Sequence, residues 1–341
     1  MELFPLWSVS SIARSRIINR MNPAEVIELA IRCKPFRDFL SSYKLPAVDL
    51  EWNCSKQQTL LLKFPSLENS VQFDVQQDRK ENPIETDIEA LKNVARQHKG
   101  FVIGDCKNVE KSVEALEEVI KLIAKIAHVK NYKLVYLHNP AVNILSSCIF
   151  RLTNTFSQLT LDNLNDADRM KLTEQQIRHF LEDVRCDGLS LSCDLEGGPR
   201  ILENIKFNQK YLSLGDCDWL HPRELLNGIR NNLELQSFGA SFTQPYGLEE
   251  FMKFVSGWQR GEILQDIYNF ALSSGIEWPA TQGLKVQEDF TVTIVPASGE
   301  TFREFKGKIK RLTDGKVGWL YVCSNIRFSN KPYGSLSFLS H

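Results

Sequence analysis

Pairs of aliphatic residues two positions apart recur along the middle of this chain, and they constrain its fold more than any other feature. Val135/Leu137, Leu159/Leu161, Leu189/Leu191, Leu212/Leu214 and Leu233/Leu235 stand 24, 30, 23 and 21 residues apart. Side chains two apart share one face of a strand, so each pair reads as the buried face of a short strand. Helix signals lie between them. Thr173 caps a segment with Gln176 and then Ile177, Phe180, Leu181 and Val184; Pro222 precedes Leu225 and Leu226; Thr243 precedes Leu248, Phe251, Val255 and Trp258. A short strand followed by a helix every ~20–30 residues is the signature of a leucine-rich-repeat-like solenoid with parallel strands. No asparagine recurs at a fixed offset to form a ladder, so the expectation is an irregular LRR-like α/β arc. An ordinary open α/β sheet is the alternative.

The flanks of this region read as β. Residues 48–52, 59–64 and 71–75 form three short strands of a meander, followed by a polar loop at 76–83. Thr86–Glu89 reads as a capping box for a helix carrying Ile88, Leu91 and Ala95, closed at Gly100 and followed by a strand at 101–103. Asn108 opens a longer helix bearing Val109, Val113, Leu116, Ile120 and Ile123, with Glu117 and Lys121 as an i,i+4 pair. A further strand is expected at 264–270. Beyond Gly283, residues 284–295, 301–312 and 317–328 read as an antiparallel β extension that caps the arc, with a frayed tail from Asn330. The fold class expected is α/β (α+β overall), with domains at 1–44, 45–283 and 284–341.

Residues 1–40 contain 21 apolar residues, over half, against 43% for the whole chain. Ser10 or Ser11 can cap a helix with Ala13, Ile17 and Met21 on one side and Arg14, Arg16 and Arg20 on the other. Asn22-Pro23-Ala24-Glu25 is a second helix start: Asn22 as N-cap, Pro23 at the first helical position and Glu25 placed to bond back. Pro35 ends or kinks this helix. A fragment of ~40 residues seldom buries enough surface to be stable alone, so it must pack on the rest of the chain or on a partner.

Phe4-Pro5-Leu6, Ile17-Ile18, Met21, Pro23, Val26, Leu29-Ala30, Cys33 and Phe36 fall in a register that resembles an F-box. Val9-Ser10 occupies the slot where the common pattern has Leu-Pro, a departure that removes one proline. The Phe-Pro-Leu opening is similar to the nematode-expanded group of F-box proteins that carry a second, F-box-associated domain. Tyr211-Leu212-Ser213-Leu214 with Trp219, and Thr243 through Phe251 to Trp258 and Gly261, resemble that domain more loosely. The resemblance implies a substrate-recognition subunit of an SCF-type ubiquitin ligase. It would bind a Skp-type adaptor, and through it a cullin, by Pro5, Leu6, Val9, Ile17, Ile18, Pro23, Val26 and Leu29, and hold a target protein on the C-terminal domain. The alternative is an LRR-like interaction scaffold with no ligase role.

Little points to chemistry of the chain's own. No phosphate-binding glycine loop, nucleophile elbow or zinc-helix motif is present. Gly197-Gly198 reads as a turn. Asp216 and Asp218 are too few carboxylates for a hard cation. His138 has no nucleophilic partner in the sequence. Eight cysteines without a C-x-x-C spacing read as free thiols of a reduced compartment. We therefore expect no enzyme activity and no cofactor or metal. We also expect a cytoplasmic or nuclear location, because the N-terminus lacks a basic region before its short apolar run and no apolar run could cross a membrane. The net charge of −1 gives no strong global field for nucleic acid. Lys306, Lys308, Lys310, Arg311 and Lys316, with Phe302, Phe305 and Trp319 nearby, form a local basic cluster. It reads as the solvated face of an edge strand, where lysines block aggregation.

Overall fold

A computed structural model describes residues 9–55, 58–76, 84–97, 100–104, 108–163, 169–198, 201–215, 217–232, 234–242, 248–262, 267–274, 291–297, 300–328 and 331–340. The chain is a mixed α/β protein. By contact it divides into two units, Met1–Ser157 and Gln158–His341. That division does not coincide with the sequence boundaries: the expected helical module 1–44 lies inside the first unit, and the expected 45–283 region is shared between the two.

Unit 1 opens with three short helices, α1 (Ser11–Ile18), α2 (Pro23–Arg32) and α3 (Lys34–Tyr43). Local chemistry fixes their ends. The Ser10 hydroxyl accepts from the Ala13 N–H at 3.3 Å, and the Asn22 side chain accepts from the Ala24 N–H at 2.9 Å. Glu25 does not bond back to its cap; it faces Arg96 at 3.6 Å. Pro35 sits in the first turn of α3, where its missing N–H costs nothing. The meander follows as expected: β1 (Leu45–Cys54), β2 (Thr59–Phe64) and β3 (Asn69–Val75) pair antiparallel in order. Residues 77–83, the expected loop, lie outside the described residues.

The expected helix over 86–95 is absent. Glu89–Leu91 makes a single 3-10 turn, and the chain then enters β4 (Val94–Gln97), antiparallel to β5 (Gly100–Ile103). The groups read as a capping box serve other partners: Thr86 donates to the Ile31 carbonyl at 2.7 Å, and Asp87 receives Arg37. Gly100 closes no helix. A Cβ there would lie 2.1 Å from the Gln72 carbonyl oxygen, so glycine lets β5 pair in parallel beside β3. The long helix α4 (Val109–Ile126) is capped by Asn108, whose oxygen accepts from the Lys111 N–H at 2.9 Å. Lys121 pairs with Glu118 at 2.6 Å rather than with Glu117, which accepts from the Cys148 N–H at the start of α5 (Cys148–Leu152). Between α4 and α5, β6 (Ala127–Leu137) returns parallel to β1.

The sheet of unit 1 is apolar on one face. Leu50, Trp52, Leu60, Leu62, Phe73, Phe101 and Leu134 are all at most 1% exposed and share rows across the ladders. The opposite face is polar: Glu51 holds Lys63 at 3.1 Å and Lys133 at 2.9 Å, and Asn131 donates to Asp49 at 2.7 Å. A mixed sheet covered on one side takes this alternation, because successive side chains point to opposite faces.

Unit 2 begins in β7 (Thr155–Asp162). Its further strands are β8 (Lys171–Leu172), β9 (Arg185–Ser192), β10 (Asp194–Leu195), β11 (Tyr211–Gly215), β12 (Ser237–Phe242) and β13 (Asn269–Ser274); β9 and β11 carry the expected pairs Leu189/Leu191 and Leu212/Leu214, while β8 and β10 were not expected. Strands β9, β11, β12 and β13 are parallel neighbours in chain order, and β8 pairs with β10 separately. The intervening helices are α6 (Glu174–Arg178), α7 (Pro222–Asn231) and α8 (Leu248–Arg260). Thr173 and Gln176 form the full reciprocal cap, and α6 continues into a π turn over His179–Asp183. The residue expected to cap α8, Thr243, lies outside the described residues.

Two strands begin later than their leucines suggest. Leu235 is buried but precedes β12, whose inward positions are Phe238, Ala240 and Phe242; Leu233 lies outside the described residues. Similarly, β13 starts at Asn269 rather than near 264. Phe254 of α8 stacks on Phe270 of β13 at 3.7 Å, and Trp258 is fully buried beside them. Gly261, at φ +74, ends α8: the Glu262 N–H reaches the Gly257 carbonyl and the Gly261 N–H reaches that of Trp258, both at 2.9 Å.

The remaining strands are β14 (Thr291–Ala297), β15 (Glu300–Lys310), β16 (Val317–Phe328) and β17 (Lys331–Ser340), all antiparallel. The tail expected to fray is β17, inserted between β13 and β16. Its alternating Leu336, Phe338 and flanking serines are a strand pattern that the Gly and Pro of the segment obscure. The basic strand β15 is not an edge strand, because β14 pairs along its other side.

Candidate docking site on the N-terminal helices

The N-terminal helices are held to unit 1 by polar ties as well as by burial. Arg37, 6% exposed, donates to the Ala30 and Ile31 carbonyls at the end of α2 and forms a two-pronged pair with Asp87, both contacts at 2.7 Å. The hydrogen bonds from Arg37 hold the Asp87 carboxyl below the usual aspartate range, outweighing its slight desolvation. Arg96 reaches Glu28 at 2.7 Å. Lys44 donates to the last carbonyls of α4, those of Ala124 and Lys125, at 3.2 and 2.7 Å. Tyr43 donates to Asn19 at 2.9 Å, and Arg14 lies over the Phe39 ring at 4.9 Å, joining α1 to α3.

Where α1, its link to α2 and the sheet meet, an apolar pocket of about 120 Å³ opens. Ile18, Asn19, Met21, Pro23, Val26, Leu45, Pro46 and Phe64 line it. Small-molecule pockets usually run to ~300–1,000 Å³, so this one suits a single inserted side chain.

The eight residues singled out from sequence separate into three groups. Ile18 and Val26, each 2% exposed, and Pro23 are buried in the core of unit 1 and form the walls of the pocket. Val9, Ile17 and Leu29 are half-buried and keep part of their apolar surface exposed. Pro5 and Leu6 lie outside the described residues. Sequence reasoning missed Asn19, Leu45, Pro46 and Phe64 as pocket residues. The last three come from the start of β1 and the end of β2, and their approach depends on pairing across the sheet. Ile12, 68% exposed on α1, was likewise unmarked.

Other candidates resolve into structure. Gly197 and Gly198 take φ of +88 and +98 in a turn where the Gly198 N–H meets the Leu195 carbonyl. Asp218 is described while Asp216 lies outside the described residues, and among the described residues no three His, Cys, Asp or Glu side chains converge as a metal site. His138 sits 3.4 Å from the Tyr136 hydroxyl, which donates into the loop at Asn139 and Val142. Burial, with the Glu117 carboxylate nearby, pushes the Cys54 and Cys148 thiols up to about 12; burial, with Asp187, does the same to Cys186. Such thiols are poor nucleophiles. Among the described residues no helix is long and apolar enough to cross a membrane.

No family model, no curated protein and no solved structure matches this chain.

Proposed function

We propose that this chain is the substrate-recognition subunit of an SCF-type ubiquitin ligase. The N-terminal helices dock on a Skp-type adaptor, and unit 2 presents a target protein from an LRR-like arc. The observation that carries this reading is the F-box-like residue pattern falling on three short helices, the first two capped by Ser10 and Asn22, with a side-chain-sized apolar pocket between Ile18, Met21, Pro23 and Val26. Interfaces draw most of their energy from a few apolar anchors seated in such pockets. Val9, Ile17 and Leu29 are the adaptor contacts that can be changed without hollowing the core, whereas Ile18, Pro23 and Val26 shape the surface from beneath.

The chain-order run of parallel strands β9, β11, β12 and β13 supports the arc, and also the alternative of an interaction scaffold without ligase role. Capture by an immobilised Skp-type adaptor separates the two. The ligase reading expects the full chain to be retained, and an Ile17→Asp/Leu29→Asp variant that melts like wild type to be lost. No retention of the wild type leaves the scaffold reading.

A further inference from the structure

We propose that the face of the unit 2 sheet bearing Lys306, Lys308 and Lys310 binds single-stranded nucleic acid. Lysines on an edge strand are explained by protection against pairing with another chain. That explanation fails for β15, which is paired with β14 on one side and β16 on the other. Something else must account for a lysine at every second position.

The register shows which face they occupy. Val292, Phe305, Val322, Leu336 and Leu272 form one row across β14, β15, β16, β17 and β13, and Leu272 is 2% exposed beside Phe270 and α8. This is the helix-covered face. Lys306 and Lys308 alternate with Phe305 and Ile309, and so belong to the other face. On that side, the row of Lys306 runs through Tyr321, Ser337 and Ala271 to Gly239 and Ser213; the row of Lys308 runs through Trp319 to Asn269 and on to Tyr211. Among the described residues of this face, Ser213 and Tyr211 are exposed and Ala271, Gly239, Ser237, Asn269 and Trp319 are half-buried, so none of them is covered by a helix. Lys310 at the end of the column is exposed. Glu304, one row beyond Lys306, bounds the patch.

Along β15 the lysine positions therefore recur about every 6.8 Å, and the paired strand, about 4.8 Å away, carries an aromatic residue at the register partners of the first two. Lys306 is opposite Tyr321, and Lys308 is opposite Trp319. Cations spaced along a strand suit a phosphodiester backbone, and aromatic residues beside them suit unstacked bases. An acidic peptide would use the lysines and leave the aromatic residues idle. A duplex keeps its bases stacked away from such a surface.

The test is fluorescence anisotropy of the full chain with labelled oligo-uridine RNA and oligo-thymidine DNA of about 12 nucleotides, within the ~4–16 that single-strand-binding folds occupy. Saturable binding of either at ~50 mM salt is expected, with a log–log salt slope of about −2 for three phosphates on a single strand. Lys306→Gln/Lys308→Gln/Lys310→Gln should weaken it at least about tenfold, and Tyr321→Leu by about five- to a hundredfold, the range for one lost stacking contact. Three outcomes overturn the proposal. One is no binding of either strand. Another is equal affinity for a duplex or for poly-glutamate, the latter marking an acidic protein partner. The third is undiminished binding by both variants when each melts like wild type.

Discussion

Arg37 is a charged side chain with almost no exposure, and it joins two consecutive helices of unit 1 to a segment far along the chain. It closes the last carbonyls of α2, sits in α3, and grips Asp87, fifty positions on. Replacing it with methionine keeps the aliphatic bulk and removes the donors, so Arg37→Met should cost about 2–3 kcal/mol, read as a lower denaturant midpoint. The pH dependence has a definite sign. Asp87 is held below its usual range, so its contribution is present above the unfolded value near ~3.9 and is lost as pH falls through the folded value. Asp87→Asn should therefore lower the melting temperature at neutral pH and lose that difference in acid. Adjacent isoleucines should also part company. Ile18→Ala should cost about 2–4 kcal/mol by leaving a cavity, while Ile17→Ala, half-exposed, should cost under ~1 kcal/mol; urea titration of each variant reads both. Caps such as Ser10, Asn22, Asn108 and Thr173 are legible in sequence because donor and acceptor lie within three residues. The Arg37–Asp87 pair is not, because nothing local marks a contact across fifty positions.

At the scale of elements, periodicity was a sound guide wherever one face is buried and misleading where tertiary partners take over local groups. The meander, α4 and the strands at β9 and β11 follow from their alternation. The segment over 86–97 carries a helix-start signature, yet Thr86 and Asp87 are claimed by α2 and α3, and Val94 and Ala95 gain more as a strand beside β5. Gly100 makes that pairing possible. Gly100→Ala would force a Cβ onto the Gln72 carbonyl, so it should separate β5 from β3. Hydrogen exchange should then show Phe101–Ile103 amides losing protection while β1 amides keep theirs. Strand β17 was hidden by its Gly and Pro, and its pairing with β13 and β16 is a long-range fact that no local pattern carries.

At the scale of the molecule, the apolar excess of the first forty residues finds two destinations, which composition alone leaves open. Much of it, Ile18, Val26, Ile27, Ala30, Ile31, Phe36 and Leu40, is covered by unit 1 itself. Val9, Ile12, Ile17 and Leu29 keep apolar surface outside that core. The N-terminal helices are thus part of a larger folded unit, and a test on the isolated segment would remove the sheet that holds them. Thiol chemistry gauges both units at once. A thiol raised to about 12 is thiolate in only on the order of 10⁻⁴ of molecules near pH 8. Cys54 and Cys148 in unit 1 and Cys186 in unit 2 should therefore escape iodoacetamide in the native chain and react after denaturation, as peptide mass mapping would show. Calorimetric titration of the full chain with a purified Skp-type adaptor bears most directly on the ligase reading. Saturable heat at one-to-one stoichiometry, abolished in Ile17→Asp/Leu29→Asp, is the predicted result; a well-folded wild-type chain that gives no heat contradicts it.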